Sequence, residues 1–149
     1  MKLAPLFRAE ITLAAPLEMG VSPLGRRRII GITGGQFTGE RLSGKVLPGG
    51  ADWQLVRADG VAYLDTRYTL ETQDGALVYV RNRGYRHGPA EVIERLAHGE
   101  MVDPASYYFR TSPWFETSAP EYAWLNRTIF LGSGARFADR VRLEVFEVK

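Results

Sequence analysis

Two Asp-Gly dipeptides, Asp59-Gly60 and Asp74-Gly75, each lie between runs of alternating apolar and polar residues. Asp-Gly suits a two-residue type I′ turn, in which both central residues need positive φ. Two such loops fix the pairing of three strands. Val56 then faces Tyr63, Gln54 faces Asp65, Asp52 faces Arg67, and across the second hairpin Arg67 faces Asn82. Asp52, Arg67 and Asn82 fall in one row, with Gln54, Tyr63, Asp65, Val56, Val78 and Val80 on the same face. A carboxylate, a guanidinium and an amide set among apolar side chains are the materials of a ligand cavity. The opposite face carries Trp53, Leu55, Ala62, Leu64, Tyr68, Leu70, Leu77 and Tyr79 and is more apolar. Patterning alone therefore also fits that face as the core, with the polar row in water.

Other chemistries are narrowed by what is missing. There is no GxSxG elbow, no GxxxxGK phosphate loop and no GxGxxG dinucleotide fingerprint. The absence of cysteine excludes disulfides, thiolate metal sites and cysteine nucleophiles. His87 and His98 are the sole histidines, so neither a metal nor another cofactor is expected. Sixteen arginines accompany three lysines, yet Arg26, Arg27 and Arg28 form the only dense basic run, which reads as a short solvated turn. That is too little for a nucleic-acid surface, and no nucleic-acid partner is expected. No stretch of about 18 apolar residues marks a membrane span. The start of the chain is too short in its apolar run and too charged for a signal peptide. A cytoplasmic protein with no membrane partner is the expectation.

The 149 residues fit one domain, 1–149. Alternation predicts strands over 7–13, 29–33, 36–46 (bent at Gly34-Gly35), 52–57, 61–71, 76–83, 107–111, 126–131 and 140–148. Pro89 and Gly99 bracket one helix over about 89–98, with His98 placed to cap its last turn and His87 in a loop. Thr111–Thr117 reads as an aromatic loop, since Pro113 and Pro120 argue against a central strand. Its Trp114 and Phe115 either cover a pocket or plug a barrel end. Gly132-Ser133-Gly134 reads as a hairpin turn. The whole predicts an all-β protein, a small closed or nearly closed antiparallel barrel of about eight or nine strands with one short helix. The first strand and the aromatic loop are surfaces through which two copies could pair as a homodimer.

Five strings carry a family resemblance: GGADWQ (Gly49–Gln54), LDTRYTL (Leu64–Leu70), YVRNRG (Tyr79–Gly84), YYFRTSPWFET (Tyr107–Thr117) and YAWLN (Tyr122–Asn126). In order and over nearly the whole chain, the sequence resembles the domain-of-unknown-function family 3237, an uncharacterised family of bacteria and fungi. The resemblance implies a single β-barrel domain and supplies no reaction. Its motifs include Asp52, Arg67 and Asn82, and add Arg110, Glu116 and Trp124. The expected function is binding of a small organic ligand bearing a carboxylate, carbonyl or phenol. Arg67 would anchor it, Asp52 would orient Arg67, Asn82 and Gln54 would complete the hydrogen bonding, and Trp124 and Tyr63 would supply stacking surface. Two alternatives stand beside it. One is a cofactor-independent isomerase, cyclase or lyase with Asp65 and Glu116 as acid–base groups and Arg67 or Arg110 stabilising an oxyanion. The other is a structural subunit whose barrel is filled by side chains.

Overall fold

Alternating sequence runs fold as an antiparallel barrel in the computed structural model, which describes residues 1–149. The strands are β1 (Leu3–Leu13), β2 (Leu17–Ser22), β3 (Gly25–Thr38), β4 (Gly44–Val46), β5 (Ala51–Val56), β6 (Ala62–Thr72), β7 (Leu77–His87), β8 (Tyr108–Glu116), β9 (Phe130–Arg136) and β10 (Arg140–Val148). Around the barrel the order is β1, β10, β9, β8, β7, β6, then β5 and β4 sharing one position, then β3. Pairing of β1 with β3, from Arg8↔Thr38 to Leu13↔Ile32, closes the wall. Eight strand positions thus form the barrel, and β2 adds to the outer run of β3. Every residue of β2 is exposed, so it has no buried face to produce alternation. That is why patterning does not find it.

The two Asp-Gly turns differ from expectation by one residue each. Arg57 N–H donates to Val61 O at 2.9 Å and Thr72 N–H to Ala76 O at 2.9 Å, so each loop has three residues. Gly60 and Gly75 have φ of +84° and +86°, while no non-glycine residue has positive φ. Asp59 and Asp74 therefore cannot occupy a type I′ turn. Each Asp-Gly ends a three-residue loop in which only the glycine is left-handed. The pairing becomes Asp52↔Thr66 and Thr66↔Asn82, with Arg67 opposite Ala51 and Arg81.

Other local expectations are also corrected. Arg26, Arg27 and Arg28 lie within β3, paired to Val56, Leu55 and Gln54, and form no turn. The 36–46 stretch is broken between Thr38 and Gly44. Thr111–Glu116 belongs to β8, which runs through Pro113. β8 pairs β9 only at Arg110↔Ser133 and Thr111↔Gly132, so Pro113 lies beyond the stretch bonded on that side. Gly132-Ser133-Gly134 is mid-strand in β9. A Cβ on Gly134 would lie 2.6 Å from the Phe109 ring, so glycine here makes room for an aromatic side chain of the neighbouring strand β8. Residues 126–131 do not form one strand, because 3₁₀ turns run over Pro120–Arg127. His87 ends β7 and stacks on Tyr108 at 4.8 Å. The helix α1 spans Ala90–Ala97, and His98 Nδ1 lies 2.9 Å from Glu94 O, the capping position expected.

The core is divided along the barrel axis. At one end Phe7, Phe37, Phe115 and Phe130 pack with Leu70, Val78, Val80 and Leu125. Phe7–Phe37 and Phe115–Phe130 lie 5.3 and 4.9 Å apart. Each such side chain stabilises the fold by about 1.5–3 kcal/mol on full burial. The 3₁₀ segment closes this end with Leu125, Tyr122 and Trp124. A smaller cluster at the other end joins Val92 of α1 to Ala62, Leu64, Tyr107 and Phe109. Polar side chains occupy the layer between the two clusters.

Candidate functional site

The layer begins with β5, whose alternation points Asp52, Gln54 and Val56 inward. Asp52, Thr66 and Asn82 form one cross-strand row inside the barrel. The next positions toward α1 add Thr111 on β8 and Arg86 on β7, with Arg136 on β9 and Arg28 on β3 at the rim. All but Arg28 bound an inner chamber of about 50 Å³, whose apolar walls include Ile11, Ile30, Leu64, Phe109 and Leu143. Gln54, Arg86 and Arg136 also line a vestibule of about 180 Å³, roofed by Ile93 and Leu96 of α1. These three side chains stand at the neck between the two spaces.

A chain of one ion pair and successive hydrogen bonds runs inward from the rim. Glu18 of β2 pairs with Arg28 Nε at 3.0 Å. Arg28 Nη1 donates to Gln54 Oε1 at 3.2 Å, and Gln54 Nε2 donates to Asp52 Oδ2 at 3.3 Å. The Asp65 backbone N–H donates to Asp52 Oδ1 at 3.0 Å. Asp52 is thereby held in one orientation while keeping acceptor capacity, since an ionised carboxylate has about four acceptor sites. Burial raises its pKa above the ordinary 3.8, and outweighs the lowering by the Asp65 N–H, the Arg86 charge and Gln54. The Tyr68 phenol, in the same chamber, is also pushed up by burial.

The three arginines are not equivalent. Arg28 is engaged by Glu18 and Gln54. Arg136 Nη1 donates to the carbonyls of Phe137 and Arg140 in the β9–β10 turn. Arg86 has neither a side-chain hydrogen bond nor an ion pair, and its Cζ lies over the Phe109 ring, 5.5 Å from the ring centre. Burial, then repulsion from Arg136, pulls its pKa down to about 10, so it stays cationic at neutral pH. Asn82 Oδ1 and Thr111 Oγ1 are buried without partners. The site thus presents one free cation, an unfilled acceptor, an unpartnered hydroxyl and an oriented carboxylate.

Of the residues singled out by sequence, Asp52, Gln54 and Asn82 line the chamber. The one-residue shift of β6 sends Tyr63, Asp65 and Arg67 to the outer face. There Tyr63 packs on Tyr85 at 5.6 Å, and Asp65 draws Arg81, Arg67 and Arg83 at 3.4, 3.9 and 3.8 Å. The Arg67 side chain is 47 % exposed and anchors nothing inside. Arg110 and Glu116 take the outward positions of β8, alternating with buried Thr111 and Phe115. Trp124 lies at the closed end, with the Arg41 guanidinium 3.6 Å from its ring centre. Trp114 points outward and Phe115 fills the core. The sequence reading passes over Thr66, Arg86, Thr111, Arg136 and Arg28. Arg86 is separated from Asn82 by two steps of alternation on one strand, a signal lost when that strand is ended at Arg83. No three His, Asp or Glu side chains converge at metal-binding distance.

Known proteins share this architecture. A protein of Rhodopseudomonas palustris (strain TIE-1) called a UPF0311 protein is 50% identical over 139 residues, covering 93% of this chain and 88% of that one. A Clostridium acetobutylicum UPF0311 protein is 42% identical, covering 99% and 94%. Among solved structures, a β-barrel-like protein of Acinetobacter baumannii is 49% identical with a TM-score of 0.88, covering 99% and 96%. A conserved protein of unknown function from R. palustris is 45% identical with a TM-score of 0.93, covering 100% and 99%. An enzyme from Penicillium herquei, 23% identical with a TM-score of 0.75, shares the fold. The family model described as Protein of unknown function (DUF3237) matches residues 1–148, and with these identities the chain belongs to that family.

Proposed function

We propose that the barrel binds a small organic molecule whose carboxylate, carbonyl or phenol oxygen rests on Arg86 at the neck of the cavity. The observation that carries this is the Arg86 guanidinium, placed inside the barrel with no protein acceptor. Arg86 is half-buried, and a cation withdrawn in part from water costs free energy unless it is paired. A protein that keeps one unpaired beside open volume has a use for its donors. Arg136 adds positive potential next to it, and Asp52 is the only acid among the chamber's lining residues, so the neck is net cationic. The inner chamber of about 50 Å³ admits one functional group, given that water's share of liquid volume is about 30 Å³. The vestibule of about 180 Å³ is comparable to a cavity of about 150 Å³ that holds benzene. One ring with an oxygen substituent fits this division of space.

The test is calorimetric titration with benzoate and cyclohexanone as probes. Saturable binding is expected to weaken at least tenfold in Arg86→Met and to be unchanged in Arg67→Met on the outer face. Equal affinity in wild type and Arg86→Met, or no saturable binding of either probe, would overturn the assignment.

A further inference from the structure

We propose that the chamber catalyses proton transfer at the carbon next to a carbonyl, with Asp52 as the base and Arg86 as the oxyanion holder, on single-ring α-hydroxyketones. The inference rests on the binding assignment above and adds a reaction to it. Asp52 on β5 and Arg86 on β7 line the same small chamber from strands separated by β6. Asp52 is fixed by the Asp65 N–H at 3.0 Å and Gln54 Nε2 at 3.3 Å, and its remaining lone pairs are free to accept. A base must be oriented as well as basic, and the Glu18–Arg28–Gln54 chain supplies the orientation from the rim. Water is limited by the apolar walls, which strengthens any charge interaction inside. Burial lifts Asp52 toward useful basicity.

The unpartnered atoms narrow the substrate. Arg86 offers donors to a carbonyl oxygen. Asn82 Oδ1 is a buried acceptor with nothing donating to it, which calls for a ligand hydroxyl. The Thr111 hydroxyl, likewise unpartnered, can donate to either oxygen. A ring carrying a carbonyl and a hydroxyl on adjacent carbons satisfies all three. In the step, Asp52 takes the carbinol C–H proton, that C–H bond breaks, and its electron pair forms the C=C bond. The carbonyl electron pair moves onto oxygen, giving an enediolate held by Arg86. Return of the proton to the same carbon gives exchange or racemisation; return to the former carbonyl carbon, with the hydroxyl proton passed to the other oxygen through the Thr111 hydroxyl, transposes the carbonyl. Nothing is oxidised or reduced overall, and no co-reactant is consumed.

Asp52 is faced by Tyr68 from β6, Arg86 from β7 and Arg136 from β9, with Arg28 of β3 behind Gln54. Gln54 is a positioning residue. Its loss removes a hydrogen bond that lowers the Asp52 pKa, so Gln54→Met is expected to move the ascending, acidic limb of the pH–rate profile to higher pH.

The experiment follows loss of the carbinol C–H signal of 2-hydroxycyclohexanone in D₂O by proton NMR, with binding of the same probe measured by calorimetry. Wild type is expected to accelerate exchange over buffer. Asp52→Asn is expected to lose at least about 100-fold of that acceleration, the lower range for a general base, while binding within threefold of wild type. Arg86→Met is expected to lose both rate and binding, and Arg67→Met neither. Binding without accelerated exchange in wild type, or full exchange in a folded Asp52→Asn, would overturn the catalytic inference and leave the binding assignment standing. Absence of binding would overturn both. Should Asp52→Asn fail to fold, the pH profile of Gln54→Met decides: an unmoved limb overturns the inference.

Discussion

Arg86→Met should make the protein more stable. Folding takes this guanidinium from water into a site where its pKa is pulled down from the ordinary arginine value to about 10. At about 1.36 kcal/mol per unit, that difference corresponds to an upper limit of about 3 kcal/mol of folding energy spent on keeping the charge inside. Methionine removes the charge and keeps an apolar stem against Phe109. Part of the gain is returned because Asp52 loses a neighbouring positive charge, a loss limited by the option of protonating Asp52. The net expectation is a gain of about 1–3 kcal/mol, or about 2–12 °C in melting temperature for a domain of this size. The sign with pH follows from the depressed pKa. The penalty is fully present below about 10 and is relieved only as the pH rises through that value toward the ordinary arginine range. The gain should therefore show no arginine titration between pH 5 and 8. Urea denaturation and scanning calorimetry of both proteins without ligand provide the measurement. If Arg86→Met is destabilised by more than about 1 kcal/mol, a typical net worth of a hydrogen bond, the guanidinium is satisfied within the protein. The binding argument then loses its foundation.

Asp52 titrates in the opposite sense to an ion-paired aspartate. Its folded pKa is raised, so wild type and Asp52→Asn should match in pH dependence below 3.8, and wild type should lose stability relative to the variant as pH rises from there to the folded value. Denaturation midpoints across pH 3–8 that diverge in the reverse direction would contradict this. Gly134→Ala places a Cβ 2.6 Å from the Phe109 ring. Overpacking of that kind costs about 1–3 kcal/mol, and thermal denaturation should register it. With no cysteine, His87 stacked on Tyr108 and His98 capping α1, elemental analysis of protein purified without chelators should give substoichiometric zinc, iron, copper and manganese.

The barrel itself was legible because strand alternation is a local signal, and most inner-wall positions obey it. Register was not, because Asp-Gly serves both a two-residue turn and the end of a three-residue loop. The dipeptide alone does not choose between them. One residue of error at each of two turns cancels across β6, which is why Asp52 and Asn82 do share a row while the residue between them is Thr66 and not Arg67. Two other readings failed because residues were judged by their usual habits. Pro113 sits in a strand where one flank is unpaired, and Gly134 leaves space for the Phe109 ring of the next strand rather than making a turn. The site residues were hidden for a related reason. On β6 the usual rule holds, with Leu64, Tyr68 and Leu70 inside and Asp65 and Arg67 outside. On β5 it is inverted, because Asp52 and Gln54 face the chamber while Trp53 stands on the outer face, 39 % exposed. On β7 it inverts partway, where inward Val78 and Val80 give way to Asn82 and Arg86. A strand that turns its polar residues inward gives up apolar burial and takes on desolvation cost. The inversion is confined to one end of the barrel, beside the cavity, where a ligand would offset that cost.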